Sequence, residues 1–197
     1  MIKLSILISY YKTFNEMMKL LKELKIQNRE NLEIILVDDG CHEERFDIFK
    51  KENNFDNLHI IHLEKNEGMS NALNKALDFA QGEYIGFIDS DDMITMNYID
   101  ILFKTLETQK EQIIYFNWLD FNTNHVIQHP GNYALWKAIY KKDIFPRFVK
   151  DRRYHNDVPV QDEIRKHDYS EYYIDNVLYL YNSNREGSLT WIKARME

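Results

Sequence analysis

Three aspartates lie close together behind a short apolar run in the middle of the chain. The run is Tyr84–Ile88, and Asp89, Ser90, Asp91 and Asp92 follow it directly. Carboxylates this close repel one another, so they need a cation, backbone donors or full contact with water. A helix N-terminus, which aspartate and serine cap well, is the simpler alternative, with Asp92 as the capping residue. Because a cap needs one acid rather than three, the cluster predicts binding of a metal and a nucleotide, with Asp91 as direct metal ligand and Asp89 between metal and ribose.

Polar side chains also follow three other apolar runs. They are Ser9, Tyr10 and Tyr11 after the first run, Asp38 and Asp39 after the second, and Asn66, Gly68 and Asn71 after the third. The two tyrosines can stack on a base or serve packing alone. The two aspartates can accept hydrogen bonds from a base or a ribose, or they can close a tight turn with Gly40 at positive φ. The third set can contact a bound ligand, or Gly68 can simply begin a helix.

The four apolar runs alternate with patterns typical of amphipathic helices. Residues 3–9 form the first run, and residues 13–27 follow with apolar side chains at helical spacing. The same unit recurs three times up to residue 110. Strands that are apolar on both faces and alternate with helices predict a Rossmann-like α/β fold, in which a mostly parallel sheet is flanked by helices. Since ligands bind outside the carboxyl ends of such strands, we expect the four polar loops to form one site.

The pattern changes beyond residue 110. There Asn122–Asn124 predicts a turn between two strands, so we expect antiparallel strands to join the sheet in the C-terminal half. No convincing linker interrupts residues 1–197, which predicts a single domain.

Composition excludes several classes of protein. With 25 Lys and Arg against 32 Asp and Glu, the formal charge is −7, which argues against a nucleic-acid partner. Cys41 is the single cysteine, so an internal disulfide framework is excluded and a reducing compartment is favoured. No run approaches the roughly 20 apolar residues of a membrane span, and the N-terminus does not read as a signal peptide, so we expect a cytoplasmic protein. The histidines are too scattered for a zinc site.

Four short segments carry a resemblance to a known family. In chain order they are "ISYYK", "VDDGC", "NEGMSNALNKA" and "GEYIGFIDSDD". This set resembles the ordered motifs of family 2 glycosyltransferases, the inverting enzymes of the GT-A fold. The later segments "LWKAIYKKDIF" and "LYLYNSNREGSLT" are similar to parts of bacterial and phage members, so the resemblance extends from residue 6 to residue 190.

The resemblance implies a division of labour within one GT-A domain. Residues 1–110 would bind a nucleotide-diphosphate sugar, with a UDP-sugar as the first expectation, and residues 111–197 would bind a carbohydrate or lipid-linked saccharide acceptor. Mn²⁺ or Mg²⁺ would be the cofactor. Peripheral contact with a membrane is compatible with such an acceptor. One carboxylate of Asp38 and Asp39 would accept a hydrogen bond from the base N3–H and from the ribose.

An inverting transfer also needs a base that removes the proton of the acceptor hydroxyl. Family members usually place an acidic pair in the region that reads "YHNDVPVQDEIRKH" here, which offers Asp157 or the pair Asp162 and Glu163. Spacing favours Asp157, because it leaves room for a helix before the "LYLYN" strand, whereas Asp162 falls inside that helix. Capping of the helix is the alternative role for Asp157. Arg185 in "NREGSLT" can bind a diphosphate or an acceptor phosphate, or it can belong to a surface loop.

Three other functions compete with this one. A nucleotidyltransferase is expected to carry a glycine-rich phosphate loop after the first strand, and "SYYKTFNE" has no glycine. A phosphatase with an aspartyl nucleophile would need its paired aspartates behind the first strand rather than the fourth. A nucleotide-binding module without catalysis stays open, because the base is identified from spacing alone.

Overall fold

The computed structural model describes residues 1–128, 134–150 and 155–183. Its strands are β1 (Leu4–Tyr10), β2 (Leu32–Asp38), β3 (Leu58–His62), β4 (Tyr84–Phe87), β5 (Met93–Ile94), β6 (Ile113–Asp120), β7 (His125–Ile127), β8 (Ala138–Lys141) and β9 (Glu171–Tyr181). Its α-helices are α1 (Phe14–Ile26), α2 (Arg45–Glu52), α3 (Met69–Phe79), α4 (Tyr98–Thr108) and α5 (Asp157–Ile164). Short 3₁₀ helices cover Leu135–Lys137 and Lys142–Ile144.

The strands form one sheet in the order β3-β2-β1-β4-β8-β6-β9-β5, with β7 beside β6. The strands β1 to β4 are parallel to one another. The strand β8 is antiparallel to both β4 and β6, and β9 is parallel to β6, so β6 and β9 run in the same direction as β1 to β4. The predicted α/β fold with a mostly parallel sheet and added antiparallel strands is confirmed.

Helical periodicity explains how the helices cover the sheet. In α1 the buried residues are Met17, Leu20, Leu21 and Leu24, which recur at the spacing of one helix face. In α3 the apolar residues Ala72, Leu73, Ala76 and Leu77 are buried in the same way, and they pack over β1 and β2. The sheet is covered on both faces at β2, where every residue is buried.

One local expectation was wrong. The strand β3 was expected to be apolar on both faces, but it lies at an edge of the sheet, and its residues after Leu58 are partly or fully exposed. The short strand β5, between the acidic cluster and α4, was not predicted, and it pairs with β9. None of the helices in the described parts of the chain is long and apolar enough to cross a membrane.

Candidate functional site

The candidate site lies where the strand order reverses. From β1 the sheet runs to β2 and β3 on one side and to β4 on the other. Such a switch point is where α/β sheets form the crevice that binds ligands, at the carboxyl edge of the strands. The register brings the loops together, because Tyr10 pairs with Asp38 and Asp38 pairs with His62 across three neighbouring strands. The polar loops predicted from the sequence therefore share one edge of the sheet.

The acidic cluster follows β4 in this crevice. Asp89 and Asp91 are half-buried, whereas Asp92 is only 1% exposed. Because β5 begins directly after Asp92 and α4 begins only at Tyr98, the cluster does not cap a helix. The expectation that Asp92 is a capping residue is therefore wrong.

Asp92 instead bonds to the last strand. Its Oδ2 accepts a hydrogen bond from the hydroxyl of Tyr179 at 2.7 Å, and its Oδ1 accepts one from the backbone N–H of Asn182 at 2.8 Å. The same tyrosine hydroxyl accepts a hydrogen bond from the backbone N–H of Asp89 at 3.0 Å. Sequence reasoning missed Tyr179, because it reads as one more residue of the apolar strand β9 and no local pattern reveals its partners.

Ser90 ties the acidic cluster to the loop after β1. Its hydroxyl shares a hydrogen bond of 2.8 Å with the hydroxyl of Thr13, and both residues are buried. The Ser90 side chain, predicted to bind the nucleotide sugar, therefore already has a protein partner. Together, Ser90 and Asp92 connect the cluster to the loop after β1 and to β9.

The electrostatics of the cluster fit a divalent cation. Burial, followed by the like charges of Asp92, Asp91 and Asp157, raises the pKa of Asp89 well above its ordinary value. A cation would offset this repulsion, and carboxylate oxygens are the ligands that Mg²⁺ and Mn²⁺ prefer. Within the described residues no three acids, histidines or cysteines could hold a metal alone. The donor set therefore fits an ion held by one or two carboxylates together with a diphosphate, as Mg²⁺ is usually held.

The two aspartates at the end of β2 are enclosed by backbone donors. Asp38 accepts hydrogen bonds from the N–H groups of Cys41 (2.8 Å) and Glu43 (2.6 Å), and its Oδ2 lies 2.9 Å from Nδ1 of His62. These contacts support the turn alternative for Asp38, which is fully buried.

Asp39 connects two loops of the site. Its carboxylate accepts hydrogen bonds from the N–H groups of Glu67 (2.6 Å) and Gly68 (2.9 Å), and burial raises its pKa. Gly40 has a φ of +75°, and a Cβ there would lie 2.3 Å from the carbonyl carbon of Lys65. Only glycine permits this close approach of the loops after β2 and β3. Each carboxylate oxygen can accept more than one hydrogen bond, so Asp39 can still contact a base or ribose. That contact stays a prediction.

The residues at the end of β1 differ in exposure. Tyr10 is only 2% exposed, and its ring packs edge-on against Phe46 with centroids 4.7 Å apart. For Tyr10 the structure therefore supports packing rather than stacking on a base. Tyr11 is 43% exposed, and Nζ of Lys12 lies 4.8 Å from its ring centroid. Ser9 is partly exposed within β1.

The loop after β3 leads into α3. Gly68 precedes the first helical residue with a φ of +86°, so it does begin the helix as the alternative predicted. The side-chain amide of Asn71 donates to the carbonyl of Glu67 at 2.8 Å, whereas Asn66 is exposed. A role of these three residues in ligand binding stays a prediction.

The helix α5 carries both candidate bases in different surroundings. Asp157 is its first residue and lies near enough to Asp89 to raise the pKa of that carboxyl. Asp162 is exposed, and its charge acts on Lys166. Asn156, which precedes the helix, is buried and accepts a hydrogen bond from the hydroxyl of Ser70 at 2.9 Å. The N-terminal end of α5, where Asp157 lies, is thus connected to α3.

Lys137 is a second residue that sequence reasoning missed. It is only 5% exposed, and Nζ lies 5.8 Å from the ring centroid of Tyr115. Burial, followed by the positive charge of Arg165, lowers the pKa of Lys137 to about 8, although the negative charges of Asp157 and Glu171 oppose this shift. Lys137 therefore interacts electrostatically with the candidate base.

Arg185 lies outside the described residues. Two cavities, of about 730 and 530 Å³, lie away from the acidic cluster. The first is lined by residues that include Met1, Arg29 and Phe103, and the second by residues just before β4 and at the end of β8. Neither contains a predicted site residue, so the site is identified by its strand ends rather than by cavity size.

Comparison with known proteins gives a consistent result. A family model described as "Glycosyl transferase family 2" matches residues 5–164. The glycosyltransferase GlyG of Streptococcus pneumoniae is 25% identical over 182 residues, which are 88% of this chain and 60% of that protein.

Solved structures share the fold. The TarS structure from S. aureus in complex with UDP-GlcNAc has a TM-score of 0.80 and 21% identity, covering 96% of this chain and 60% of that one. The mannosyltransferase PcManGT of Pyrobaculum calidifontis, in complex with GDP-Man and Mn²⁺, has a TM-score of 0.67 and 16% identity, covering 98% and 60%. The chain thus spans about 60% of the length of each of these three proteins.

Proposed function

The chain belongs to glycosyl transferase family 2, and we propose that it transfers a sugar from a nucleotide-diphosphate sugar to an acceptor hydroxyl with inversion at the anomeric carbon. The observation that carries the proposal is the gathering of the polar loops after β1, β2 and β4 at one carboxyl edge of the sheet, where Asp157 interacts electrostatically with Asp89. An inverting transfer needs groups for the leaving diphosphate and a base for the acceptor within one site. The acidic cluster and Asp157 supply both sets of groups.

Asp91 and Asp89 are the residues that would hold Mn²⁺ or Mg²⁺. A bound cation would stabilise the charge that develops on the departing diphosphate. The PcManGT complex with GDP-Man and Mn²⁺ supports this choice of cofactor by analogy of fold. The chain itself need not supply all the ligands of the cation, because the phosphates of the donor would supply the remaining oxygen ligands.

Asp157 would act as the general base. The acceptor oxygen forms a bond to the anomeric carbon while the bond from that carbon to the diphosphate oxygen breaks. The proton of the acceptor hydroxyl passes to the carboxylate of Asp157, and the electron pair of the broken bond leaves with the diphosphate. Attack from the face opposite to the leaving group inverts the configuration.

A UDP-sugar is the donor we propose first, because TarS, whose fold this chain shares, binds UDP and UDP-GlcNAc. Tyr11 offers an exposed ring for a base, and Asp39 offers carboxylate lone pairs. For the acceptor, a carbohydrate or lipid-linked saccharide bound by residues 111–197 follows from the family alone. The cytoplasmic location expected from the sequence stays a prediction.

Replacement of Asp91 by alanine tests the proposal. We expect Asp91→Ala to abolish turnover and to remove the stabilisation that a nucleoside diphosphate gives in the presence of Mn²⁺, because the link between the chain and the pyrophosphate is lost. Isothermal calorimetry with UDP and Mn²⁺ measures the binding, and release of UDP from UDP-GlcNAc without acceptor measures the chemistry.

The exposed Asp56 provides the matched control. It lies before the start of β3, so Asp56→Ala removes the same charge at the edge of the sheet opposite to the carboxyl ends of the strands. Metal-dependent binding of UDP that survives in Asp91→Ala would refute the metal assignment. Binding of nucleotide without any hydrolysis or transfer in the wild type would favour a binding module without catalysis.

A further inference from the structure

The acidic cluster is connected to β9 by a chain of buried hydrogen bonds. The backbone N–H of Asp89 donates to the hydroxyl of Tyr179 at 3.0 Å, and this hydroxyl donates to Oδ2 of Asp92 at 2.7 Å. The opposite oxygen of Asp92 accepts the N–H of Asn182 at 2.8 Å. One hydroxyl thus joins the first and last residues of the cluster, and Asp91 lies between them in sequence.

The ring and the hydroxyl of Tyr179 have separate partners. The ring is fully buried and stacks on Trp136, with centroids 4.5 Å apart and planes at 7°. Packing alone would be satisfied by phenylalanine, which has the same ring. The hydroxyl is needed only for the contacts to Asp89 and Asp92.

The contacts of β5 extend the connection. The residues Met93 and Ile94 pair with Leu180 and Tyr179 of β9. The backbone N–H of Thr95 then donates to the carbonyl of Leu178 at 3.0 Å. The chain behind the cluster is therefore bonded to β9 residue by residue, and it has little freedom to rearrange when a ligand binds.

We propose that Tyr179 and Asp92 are positioning residues that hold the main chain of the acidic cluster in its ligand-binding conformation. The inference rests on the proposed function, because it assigns the carboxylates of Asp91 and Asp89 to a cation that the donor diphosphate would share. Asp92, with its oxygens bonded to β9, is kept from competing for the cation. Groups held in place before binding lose less conformational freedom on binding, which increases affinity.

The variant Tyr179→Phe separates positioning from packing. It keeps the ring on Trp136 and removes both hydroxyl contacts. We expect the affinity for UDP in the presence of Mn²⁺ to fall by about tenfold, which is the size of effect that the loss of one hydrogen bond to a charged group can have. The Mn²⁺ concentration for half-maximal activity should rise with it, while the far-UV circular dichroism spectrum stays that of the wild type.

Tyr84→Phe is the matched control. Tyr84 is also fully buried, and its hydroxyl donates to the carbonyl of Glu111 at 2.9 Å, at the opposite end of β4 from the acidic cluster. This variant should lose stability as Tyr179→Phe does and keep the affinity for UDP and Mn²⁺. An equal loss of affinity in both variants would show a general effect of stability and would overturn the role of Tyr179.

A second measurement needs no variant. In the wild type the amide protons of Asp89 and Asn182 should exchange slowly with solvent, because each donates to a buried acceptor. Fast exchange of both would overturn the proposal. Equal affinity of wild type and Tyr179→Phe would overturn the positioning role alone, whereas absence of metal-dependent UDP binding in the wild type would overturn the proposed function and this role with it.

Discussion

At the scale of single residues, the two acids of α5 show how surroundings separate similar side chains. Asp157 acts electrostatically on Asp89 in the acidic cluster and on Lys137 in the 3₁₀ helix before β8. Asp162 lies on the exposed side of the same helix beside Lys166. The spacing argument that favoured Asp157 is consistent with this placement, and the assignment itself stays a prediction.

The variant Asp157→Asn tests the general base. It should leave the binding of UDP and Mn²⁺ near normal, because the base contacts the acceptor and not the diphosphate. Turnover should fall by about 10²–10⁴-fold, which is the usual contribution of a general base. Steady-state kinetics with donor and acceptor, combined with calorimetry on the same protein, measure the two effects separately.

Asp162→Asn is the control, since it removes the same charge on the same helix and should lower turnover far less. If Asp162→Asn were inactive while still binding donor and Asp157→Asn were active, the choice of acid would be wrong. If neither variant lost activity, the base would lie elsewhere or the reaction would not be an inverting transfer.

At the scale of elements, His62 joins the helix α2 to the end of the sheet. Its Nδ1 lies 2.9 Å from Oδ2 of Asp38 in β2, and its Nε2 lies 2.8 Å from Oδ2 of Asp47 in α2. Burial of the ring favours its neutral form, but the hydrogen bonds to Asp47 and Asp38 outweigh burial and raise the pKa of His62 above 6.5. The protonated ring therefore stabilises the contact of α2 with β2 and β3.

The stability contributed by His62 should depend on pH. Since the folded pKa is raised, this contribution is fully present below the unfolded pKa of 6.5 and is lost as the pH rises through the folded pKa. The difference in free energy of unfolding between wild type and His62→Gln should therefore be larger at about pH 5.5 than at about pH 8.5. Urea unfolding at both pH values measures it.

Asp47→Asn is a useful companion, because it leaves the ring in place and removes the partner on α2. It should lower the pKa of His62, which NMR titration of the ring protons reports directly. A difference between wild type and His62→Gln that stayed constant with pH would contradict the ion-pair interpretation.

At the scale of the whole molecule, one sheet joins the two halves of the chain. The strand β4 of the first half pairs with β8 of the second, and the acidic cluster after β4 bonds to β9. Apolar residues of both halves also belong to one hydrophobic core among the described residues, so we expect the two halves to behave as one unit. Such a core should unfold in one cooperative transition.

Leu36→Ala tests this cooperativity. Leu36 is fully buried in β2, so the variant should lose about 2–5 kcal/mol of stability through the cavity it creates. All three tryptophans, Trp118, Trp136 and Trp191, belong to the second half of the sequence. If the halves unfold together, the midpoint followed by tryptophan fluorescence should fall by the same amount as the midpoint followed by far-UV circular dichroism. An unfolding midpoint by tryptophan fluorescence that stayed at the wild-type value would indicate two independent units.

The sequence by itself determined the first half of the fold and the location of the site. Alternation of apolar runs with helical patterns is a local signal, and each βα unit buries its own apolar stripe, so strands β1 to β4 could be predicted without knowledge of the rest. The rule that parallel strands share a carboxyl edge then brought Asp38, Asp39 and Asp89 to one place. The order of the four motifs identified the family.

Only the tertiary structure decided which of these side chains already pack against, or hydrogen-bond to, other parts of the chain. Tyr10 packs against Phe46, and Asp92 bonds to Tyr179, a residue far away in the chain. Such contacts join elements that are distant in sequence, and no periodicity within either element encodes them. The parallel pairing of β9 with β6 has the same origin, because strand partners are chosen by packing of the whole sheet rather than by the composition of one strand.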